Sequence, residues 1–331
     1  MSGRFTIKPR PMSKHSICIL GGTGFVGHHL VPALAASGHD VLLLTRNRER
    51  HRDFLVLPTV RVQTADVYHQ PTLREAFAGK DVVINLVGIL NERGRDGSGF
   101  RKVHVDLTRG AVEAATASGV RRFMQMSALK ADAKRGPSHY LKSKGEAEEI
   151  IRGEAGKHLD WTIFQPSVIF GEGDSFVNRF ARLLRLSPLV LPLARPNSRL
   201  APVFVGDVVA AFVSSLDDPA CFGQTLQLCG PQVMSLRELA RIVADSMGSA
   251  SRIIALSDTL ARVQARILER LPGKPFSTDN FLSLSVHSIC EENGFKKLGI
   301  KPRSLQAELA HTLGTGPVRT RYDTYREKAA R

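Results

Sequence analysis

The sequence predicts an α/β protein with a doubly wound parallel sheet and a smaller C-terminal lobe. Six short apolar runs alternate with helical patterns over the first half of the chain. Strands that alternate with helices form a parallel sheet that is covered on both faces. The predicted strands are residues 16–20, 41–44, 60–64, 81–86, 123–126 and 161–164.

The domain organisation follows from this alternation. We expect a basic N-terminal arm over 1–14, the sheet domain over 15–170, the smaller lobe over 171–314 and a basic tail over 315–331. Segments of the lobe are expected to return to the sheet, among them a strand at 225–228. The sequence does not indicate which oligomeric state the protein adopts.

A glycine-rich turn connects the first strand to the first helix, with the sequence GGTGFVG at 21–27. Gly21 permits a tight turn, Gly24 lets the backbone approach a diphosphate, and Gly27 lets the helix pack closely on the sheet. Free N–H groups and the positive end of the helix dipole then face an anion. The turn predicts a dinucleotide site formed by Gly21, Thr23, Gly24, Phe25, Val26 and Gly27; an ordinary glycine turn is the alternative.

The residues after the second strand indicate which dinucleotide is bound. A protein that recognises the ribose 2′-OH usually has a carboxylate here, whereas this chain has Arg46 and Arg48. A guanidinium binds a 2′-phosphate through two hydrogen bonds. We therefore expect NADP(H), with Arg46 as the first choice and Arg48 as the second, and NAD(H) as the other candidate. A solvated loop that carries four arginines between 46 and 52 is the alternative.

Other candidate cofactor contacts follow the ends of predicted strands, because ligands of parallel sheets bind beyond the carboxyl ends of the strands. Asp66 and Val67 are expected near the adenine, and Val87 and Gly88 near the ribose and the nicotinamide. Pro166, after the sixth strand, is a further candidate. Each of these could also be an ordinary residue at a strand end.

Ser127, Tyr140 and Lys144 form a candidate catalytic set. Ser127 directly follows the fifth strand, and Tyr140 and Lys144 share one face of a predicted helix because they are four residues apart. The lysine ammonium and an oxidised nicotinamide are expected to lower the pKa of the phenol from about 10 toward neutrality. Ser127 would then hold the reacting oxygen while Tyr140 exchanges its proton. Tyr140 and Lys144 are also expected to bind the coenzyme, with Lys144 at the nicotinamide ribose. Without the glycine turn, Tyr140 and Lys144 would be interpreted as a surface pair.

With these motifs, the chain resembles the short-chain dehydrogenase/reductase superfamily, in its extended and atypical branches, over about residues 15–250. More narrowly, INLVGIL at 84–90, SALKAD at 127–132, WTIFQPSVIFGEGDSF at 161–176 and PVFVGDVV at 202–209 resemble bacterial relatives of the nucleotide-binding accessory subunit of respiratory complex I. The resemblance implies a Rossmann-type, epimerase-like fold with a tightly bound NADPH. It implies no known substrate, because the nucleotide of the mitochondrial relatives is regarded as structural.

Two positions depart from the pattern of the extended branch. Gln165 precedes Pro166 where many members have Arg-Pro, and His104 occupies the position of an active-site Asn. Both departures argue against sugar chemistry. His104 is either a helix-packing residue or a member of a proton relay.

Two functions remain open at this stage. The first is an NADP(H)-dependent oxidoreductase or epimerase-like enzyme that transfers hydride between the nicotinamide and a small, lipophilic carbonyl or hydroxyl compound. The second is a non-catalytic NADPH-binding structural or assembly factor of the respiratory chain. A helper in quinone biosynthesis, implied by the resemblance alone, lies between them.

The charge of the chain restricts its partners. The formal net charge is +15 and the pI is about 10.1, but no nucleic-acid-binding motif accompanies them, so nucleic acid is not expected. Residues 258–271 alternate apolar residues with arginines, which is typical of a helix on an anionic membrane surface. Respiratory-chain proteins are the other expected partners. A helix that packs on its own domain with solvated arginines is the alternative.

The cysteines and the apolar runs bear on the compartment. The four cysteines, at 18, 221, 229 and 290, lie far apart, so neither a metal site nor a disulfide framework is expected, and a reducing compartment is. No apolar run reaches 18 residues and the start lacks a secretory apolar region. We expect a cytoplasmic protein that is at most peripheral on the inner face of the cytoplasmic membrane, with the matrix side of mitochondria as the alternative.

Overall fold

The structure, a computed structural model, describes residues 14–155, 159–187 and 189–312. The predicted N-terminal arm, apart from residue 14, and the predicted tail at 315–331 lie outside the described residues. The strands are β1 (Ser16–Leu20), β2 (Asp40–Thr45), β3 (Val60–Thr64), β4 (Val82–Asn85), β5 (Arg122–Met126), β6 (Asp160–Pro166), β7 (Ile169–Phe170), β8 (Val190–Leu193), β9 (Arg199–Leu200), β10 (Val203–Phe204), β11 (Gln224–Leu228), β12 (Met234–Ser235) and β13 (Arg252–Ala255).

The helices alternate with the first six strands and then dominate the lobe. They are α1 (Phe25–Ala36), α2 (Gln70–Phe77), α3 (Ser98–Phe100), α4 (Leu107–Ala117), α5 (His139–Glu154), α6 (Val177–Leu186), α7 (Val205–Ser214), α8 (Leu236–Ser246), α9 (Asp258–Leu268), α10 (Thr278–Ser283) and α11 (Leu305–Thr312). Two 3-10 segments lie at Arg48–Val56 and Pro219–Cys221, and a π-helical segment at Arg101–Asp106 joins α3 to α4.

The main sheet contains seven strands in the order β11-β6-β5-β4-β1-β2-β3. Every neighbouring pair in it is parallel. The strand order reverses between β1 and β4, and ligands of such sheets bind in the crevice outside the carboxyl ends at this switch point. All six predicted strands are confirmed, and the predicted strand at 225–228 returns to the sheet beside β6.

Both faces of the sheet are covered. Residues 17–20 of β1 are fully buried, which explains why this strand is a continuous apolar run and not an alternating one. Apolar residues of α1 and α7, such as Leu30 and Phe212, fill one face. Residues of α2 and α4, such as Phe77 and Ala111, fill the other. The doubly wound architecture is therefore confirmed.

The lobe has its own apolar core. Residues of α6, α8 and α11 pack together there, among them Leu184, Leu239 and Leu309. The Ser235 hydroxyl accepts the N–H of Glu238, whose carboxylate accepts the N–H of Ser235, so the capping box starts α8. A smaller cluster joins α9 to α10.

Two cysteines form a disulfide, between Cys229 after β11 and Cys290 beyond α10. The sequence predicts no disulfide framework, and that prediction is wrong for this pair, because the fold joins residues separated by 61 positions. Cys18 and Cys221 are free and buried, and burial raises the pKa of the Cys18 thiol to about 12. Among the described residues, no helix has the length and apolar character needed to cross a bilayer.

Candidate functional site

The glycine turn lies against the end of β4. Gly21 has a φ of +73°, and a Cβ atom there would lie 2.8 Å from the backbone nitrogen of Val87. A Cβ on Gly27 would lie 2.0 Å from the carbonyl oxygen of Gly22. Only glycine permits these two approaches, which bring α1, the turn and β4 together at the switch point.

The start of α1 is open to an anion. Gly24 precedes its first residue, Phe25; no side chain caps the helix and no acidic residue lies in its first turn. Thr23, Phe25 and Val26 are half-buried around this opening, and Gly24 is exposed. The turn therefore fits a dinucleotide diphosphate, whose charge the free N–H groups would bind.

The predicted 2′-phosphate residues lie at the adjacent strand ends. Arg46 and Arg48 follow β2, are exposed, and make no ion pair with any described residue. The N–H of Arg48 donates to Thr64 Oγ1 at 3.4 Å, which connects the arginine loop to the end of β3. The carboxylate of Asp66 accepts the N–H of Tyr68 at 3.0 Å, and Val67 packs against the core.

Lys144 connects α5 to the ends of β4 and β5. Its Nζ donates to the carbonyl oxygens of Met126 at 3.1 Å and Val87 at 3.5 Å. A Cβ atom on Gly88 would lie 3.2 Å from the same Nζ. Burial lowers the pKa of Lys144 to about 8, and the carboxylate of Glu148 opposes this shift.

Tyr140 lies one helical turn before Lys144, but its pKa moves in the direction opposite to the predicted one. Burial, and then the negative charge of Asp279, raise the pKa of the phenol to about 12. The expected lowering by Lys144 is wrong, because Lys144 donates to backbone carbonyls and its charge does not offset the desolvation of the phenol. Among the described residues, the phenolic oxygen has no hydrogen-bond partner, so it is available to a ligand.

Ser127 directly follows β5, as the sequence predicts, and its hydroxyl makes a hydrogen bond that the sequence does not indicate. The hydroxyl donates to the carboxylate of Glu148. Gln165 Nε2 also donates to Glu148, at 2.8 Å, and so does Arg152, at 2.7 Å. A buried carboxylate needs such donors, so the Ser127 hydroxyl is one of the groups that satisfy Glu148.

His104 has a structural role in this arrangement. Its Nε2 accepts the N–H of Ile89 at 3.2 Å, so its Nδ1 carries the proton and donates to Ser143 Oγ at 2.8 Å. Burial and the charge of Lys144 lower its pKa to about 2. A neutral ring with both nitrogens bonded favours the packing interpretation over the relay.

Glu148 and Asp279 belong to the site but are not predicted from the sequence. Glu148 lies four residues after Lys144, as Lys144 lies four after Tyr140. This spacing places Glu148 on the same face of the helix and could have identified it from the sequence. Asp279 of α10 accepts the N–H groups of His139 at 2.7 Å and Tyr140 at 3.3 Å, and so caps α5 from the lobe. Nothing local in the sequence indicates a bond across 140 positions.

Two cavities flank α5. One of about 250 Å³ borders the Tyr140 end, and its lining includes Phe100, His139, Asp279 and Leu282. Because the Phe100 ring contacts the Tyr140 ring edge to face, this cavity is the candidate for the substrate. A polar cavity of about 430 Å³ lies on the Glu148 side of the helix, away from the phenol. Pro166, the remaining predicted residue, is buried and ends β6.

Comparisons with known proteins agree with this geometry. A family model described as NAD(P)H-binding matches residues 21–178. A ceramide reductase of Caulobacter vibrioides is 34% identical over 244 residues, which cover 73% of this chain and 74% of that protein. The mitochondrial "NADH dehydrogenase [ubiquinone] 1 alpha subcomplex subunit 9" of Arabidopsis thaliana is 28% identical over 304 residues, or 87% of this chain and 74% of that protein.

A solved structure gives the same fold. A nucleoside-diphosphate-sugar epimerase from Staphylococcus aureus superposes with a TM-score of 0.69 at 21% identity, over 89% of this chain and 99% of that one. At this identity the likeness shows the fold alone, whereas the sequence relatives show the family. The chain therefore belongs to the NAD(P)H-binding family of extended and atypical short-chain dehydrogenases/reductases that includes the Caulobacter ceramide reductase and the alpha subcomplex subunit 9 proteins of mitochondrial NADH dehydrogenase.

Proposed function

We propose that the protein is an NADP(H)-dependent reductase that acts on a lipophilic carbonyl compound. The observation that carries this proposal is the phenol of Tyr140, whose oxygen has no hydrogen-bond partner among the described residues and whose pKa is raised to about 12. Such a phenol stays protonated at neutral pH and is a poor base, but it can donate to the more basic oxygen that forms when a carbonyl is reduced. Reduction is therefore the direction that the site supports.

The other residues of the site bind and orient. The turn at 21–27 would hold the diphosphate through backbone N–H groups, and Lys144, held between Val87 and Met126, would bind the nicotinamide ribose. When bound, the reduced nicotinamide supplies the hydride. Tyr140 would pass its proton to the substrate oxygen, and the cavity beside Phe100 would exclude water from that oxygen.

The preference for NADP(H) rests on charge. Arg46 and Arg48 are exposed at the end of β2 without ion pairs among the described residues, and no acidic side chain lies between them. We expect Arg46→Ala to weaken NADPH binding about tenfold or more and NADH binding less than about twofold, since only NADPH presents a 2′-phosphate. Titration of both coenzymes by fluorescence measures this, with Arg121→Ala, far along the chain and exposed, as the control. A wild-type protein that binds NADH more tightly than NADPH would overturn the preference.

The substrate class rests on the family. The relative from Caulobacter is named for the reduction of ceramide, a molecule with long apolar chains. The candidate cavity of this chain is lined in part by Phe100 and Leu282, which suit an apolar group near the carbonyl. We therefore propose a ketone that carries a long apolar substituent.

A structural role is the second candidate. The Arabidopsis relative is a named subunit of NADH dehydrogenase, and its similarity runs over 304 residues, beyond the sheet and through most of the lobe. In this role NADP(H) would stabilise the fold and respiratory-chain proteins would be the partners. For either role we propose the cytoplasmic face of the cytoplasmic membrane, or the matrix face that corresponds to it in mitochondria.

Turnover separates the two candidates. The purified protein is mixed with NADPH and, in turn, a ketone-bearing ceramide analogue, a farnesylated ketone and a short-chain quinone in micelles, and the absorbance of the reduced coenzyme is followed. We expect oxidation with a lipophilic ketone, and a loss of kcat of about 10²- to 10⁴-fold in Tyr140→Phe with unchanged NADPH affinity. Lys142→Ala, exposed on the same helix, is the matched control. If none of these compounds leads to oxidation of NADPH, the enzymatic proposal fails and the structural role remains.

A further inference from the structure

Helix α9 carries its small residues inward and its large residues outward. Ala261 and Ala265 are fully buried and pack with Phe281 of α10 and Ala194. A surface helix of a globular protein normally buries its bulky apolar stripe. On α9 and the residues just beyond it, the exposed stripe consists of Leu260 (57% exposed), Val263 (46%), Ile267 (55%) and Leu271 (47%).

The stripe is continuous along the helix axis. Leu260, Val263 and Ile267 follow one another at intervals of three or four residues, so they lie on one face of α9. Leu271 lies three residues beyond the end of the helix. Two more exposed apolar residues, Leu189 and Ile254, lie at the strand pair β8–β13 that precedes α9. The helix does pack on its own domain with its arginines exposed, but the contact is made by the alanines, and the large apolar residues remain outside it.

A row of arginines runs beside the stripe. Arg262, Arg266 and Arg270 each immediately precede a member of the stripe and are exposed. The two acidic residues of the segment are paired from outside it: Asp258 with Arg195 at 3.1 Å, and Glu269 with Arg95 at 3.6 Å. The three arginines make no ion pair with any described residue, so the face beside the stripe is positively charged.

We propose that this face, defined as Leu260, Val263, Ile267 and Leu271 with Arg262, Arg266 and Arg270, docks on the surface of an anionic phospholipid bilayer. A helix with an apolar face and an adjacent basic face lies in the plane of the membrane, with the apolar side chains among the acyl chains and the arginines among the phosphates. Charge complementarity selects this occupant: a cationic row beside an apolar stripe matches the phosphate layer above the acyl region. The net charge of +15 acts in the same direction.

The docking face lies close in sequence to the candidate site. Residues 269–277 connect α9 to α10, whose Asp279 caps α5 directly before Tyr140. Lys274 of this connection donates to the carbonyl oxygens of Glu92 and Arg93 at 2.6 and 3.0 Å, beside the cavity at that end of the helix. Docking through α9 would place this cavity near the bilayer. The docking proposal is independent of whether the bound coenzyme turns over.

Co-sedimentation with vesicles tests the proposal. The full chain is mixed, without any substrate, with vesicles of phosphatidylcholine alone or with about one third phosphatidylglycerol, and we expect binding to be about tenfold or more tighter with the anionic lipid. The variant Arg262→Gln/Arg266→Gln/Arg270→Gln should lose most of the anionic preference. The variant Leu260→Ser/Ile267→Ser should bind more weakly to both kinds of vesicle, because it lacks apolar anchors without a change of charge.

The control variants carry the same chemical changes elsewhere. Val233→Ser and Arg237→Gln alter exposed residues just before and within α8 and should bind as the wild type does. NADPH affinity, measured on every variant, reports that the fold is intact, since the altered side chains are exposed and outside the coenzyme site. Equal partitioning with and without anionic lipid would overturn the proposal. So would a stable dimer that Leu260→Ser/Ile267→Ser dissociates, since a second copy would then be the occupant.

Discussion

At the scale of single residues, the site depends on a line of ionisable groups along α5, of which Tyr140 is half-buried and Lys144 and Glu148 are buried. Tyr140, Lys144 and Glu148 are spaced four apart, so each is one helical turn from the next. Burial raises the pKa of the phenol and lowers that of the ammonium, and both shifts favour neutral side chains. Glu148 opposes the second shift, which keeps Lys144 charged over more of the physiological pH range.

Removal of the Glu148 charge should therefore change how NADPH affinity depends on pH. Its carboxylate raises the pKa of Lys144, so Glu148→Gln should lower that pKa below its present value of about 8. Lys144 is charged below its pKa, and the variant should lose NADPH affinity at a lower pH than the wild type as the pH rises. NADPH dissociation constants measured across neutral and mildly alkaline pH test this prediction.

The neighbouring Glu149 provides the control for this experiment. Glu149 is exposed on the same helix, so Glu149→Gln removes one negative charge from a solvent-exposed position. It should leave the pH dependence of NADPH affinity unchanged. A weakening that is uniform at every pH would point to a loss of packing, and the charge coupling to Lys144 would then be rejected.

At the scale of elements, the glycine turn proposed to hold the dinucleotide depends on the close approach of backbone segments. The turn between β1 and α1 approaches the end of β4 because Gly21 has no Cβ atom, and α1 packs on the turn because Gly27 has none. The capping of α5 is a second case, since Asp279 of α10 holds the first N–H groups of the helix that carries Tyr140. Sheet and lobe thus meet at the element that carries the candidate catalytic side chains.

Three alanine substitutions separate the packing role of glycine from its binding role. Gly27→Ala places a Cβ 2.0 Å from a backbone oxygen, and should cost about 3 kcal/mol of unfolding free energy or prevent folding. Gly24→Ala meets its nearest atom at 3.3 Å, at the exposed opening of the turn, and should keep stability but weaken NADPH binding. Urea unfolding and coenzyme titration are the measurements.

Gly153→Ala is the reference for these variants. Gly153 lies in α5, and no described atom outside its own helix backbone and chain neighbours lies within 4 Å of the added Cβ, so alanine should change stability by less than about 1 kcal/mol, in the favourable direction. If Gly27→Ala changed stability as little as this reference variant does, the turn would not depend on the close packing of α1 against it.

At the scale of the whole molecule, the parallel sheet and the C-terminal lobe contribute different features to the site and the surface. The parallel sheet supplies the edge at which the coenzyme residues converge, and the lobe supplies Asp279, part of the cavity lining, and α9 with its exposed stripe. The disulfide between Cys229 and Cys290 connects the end of β11 to the loop beyond α10. This link holds the lobe segment that reaches α5 close to the sheet.

The sequence by itself determined the fold class, the strand–turn–helix at 21–27 and the Tyr140–Lys144 pair, because these depend on local spacing. The periodicity of apolar residues fixes strands and helices, and parallel strands then bring their carboxyl ends to one edge. The tertiary structure alone decided the Ser127–Glu148 bond, the raised pKa of Tyr140, the capping by Asp279, the disulfide and the outward face of α9. Each of these depends on which distant groups meet and how far they are removed from water, and sequence spacing does not encode such contacts.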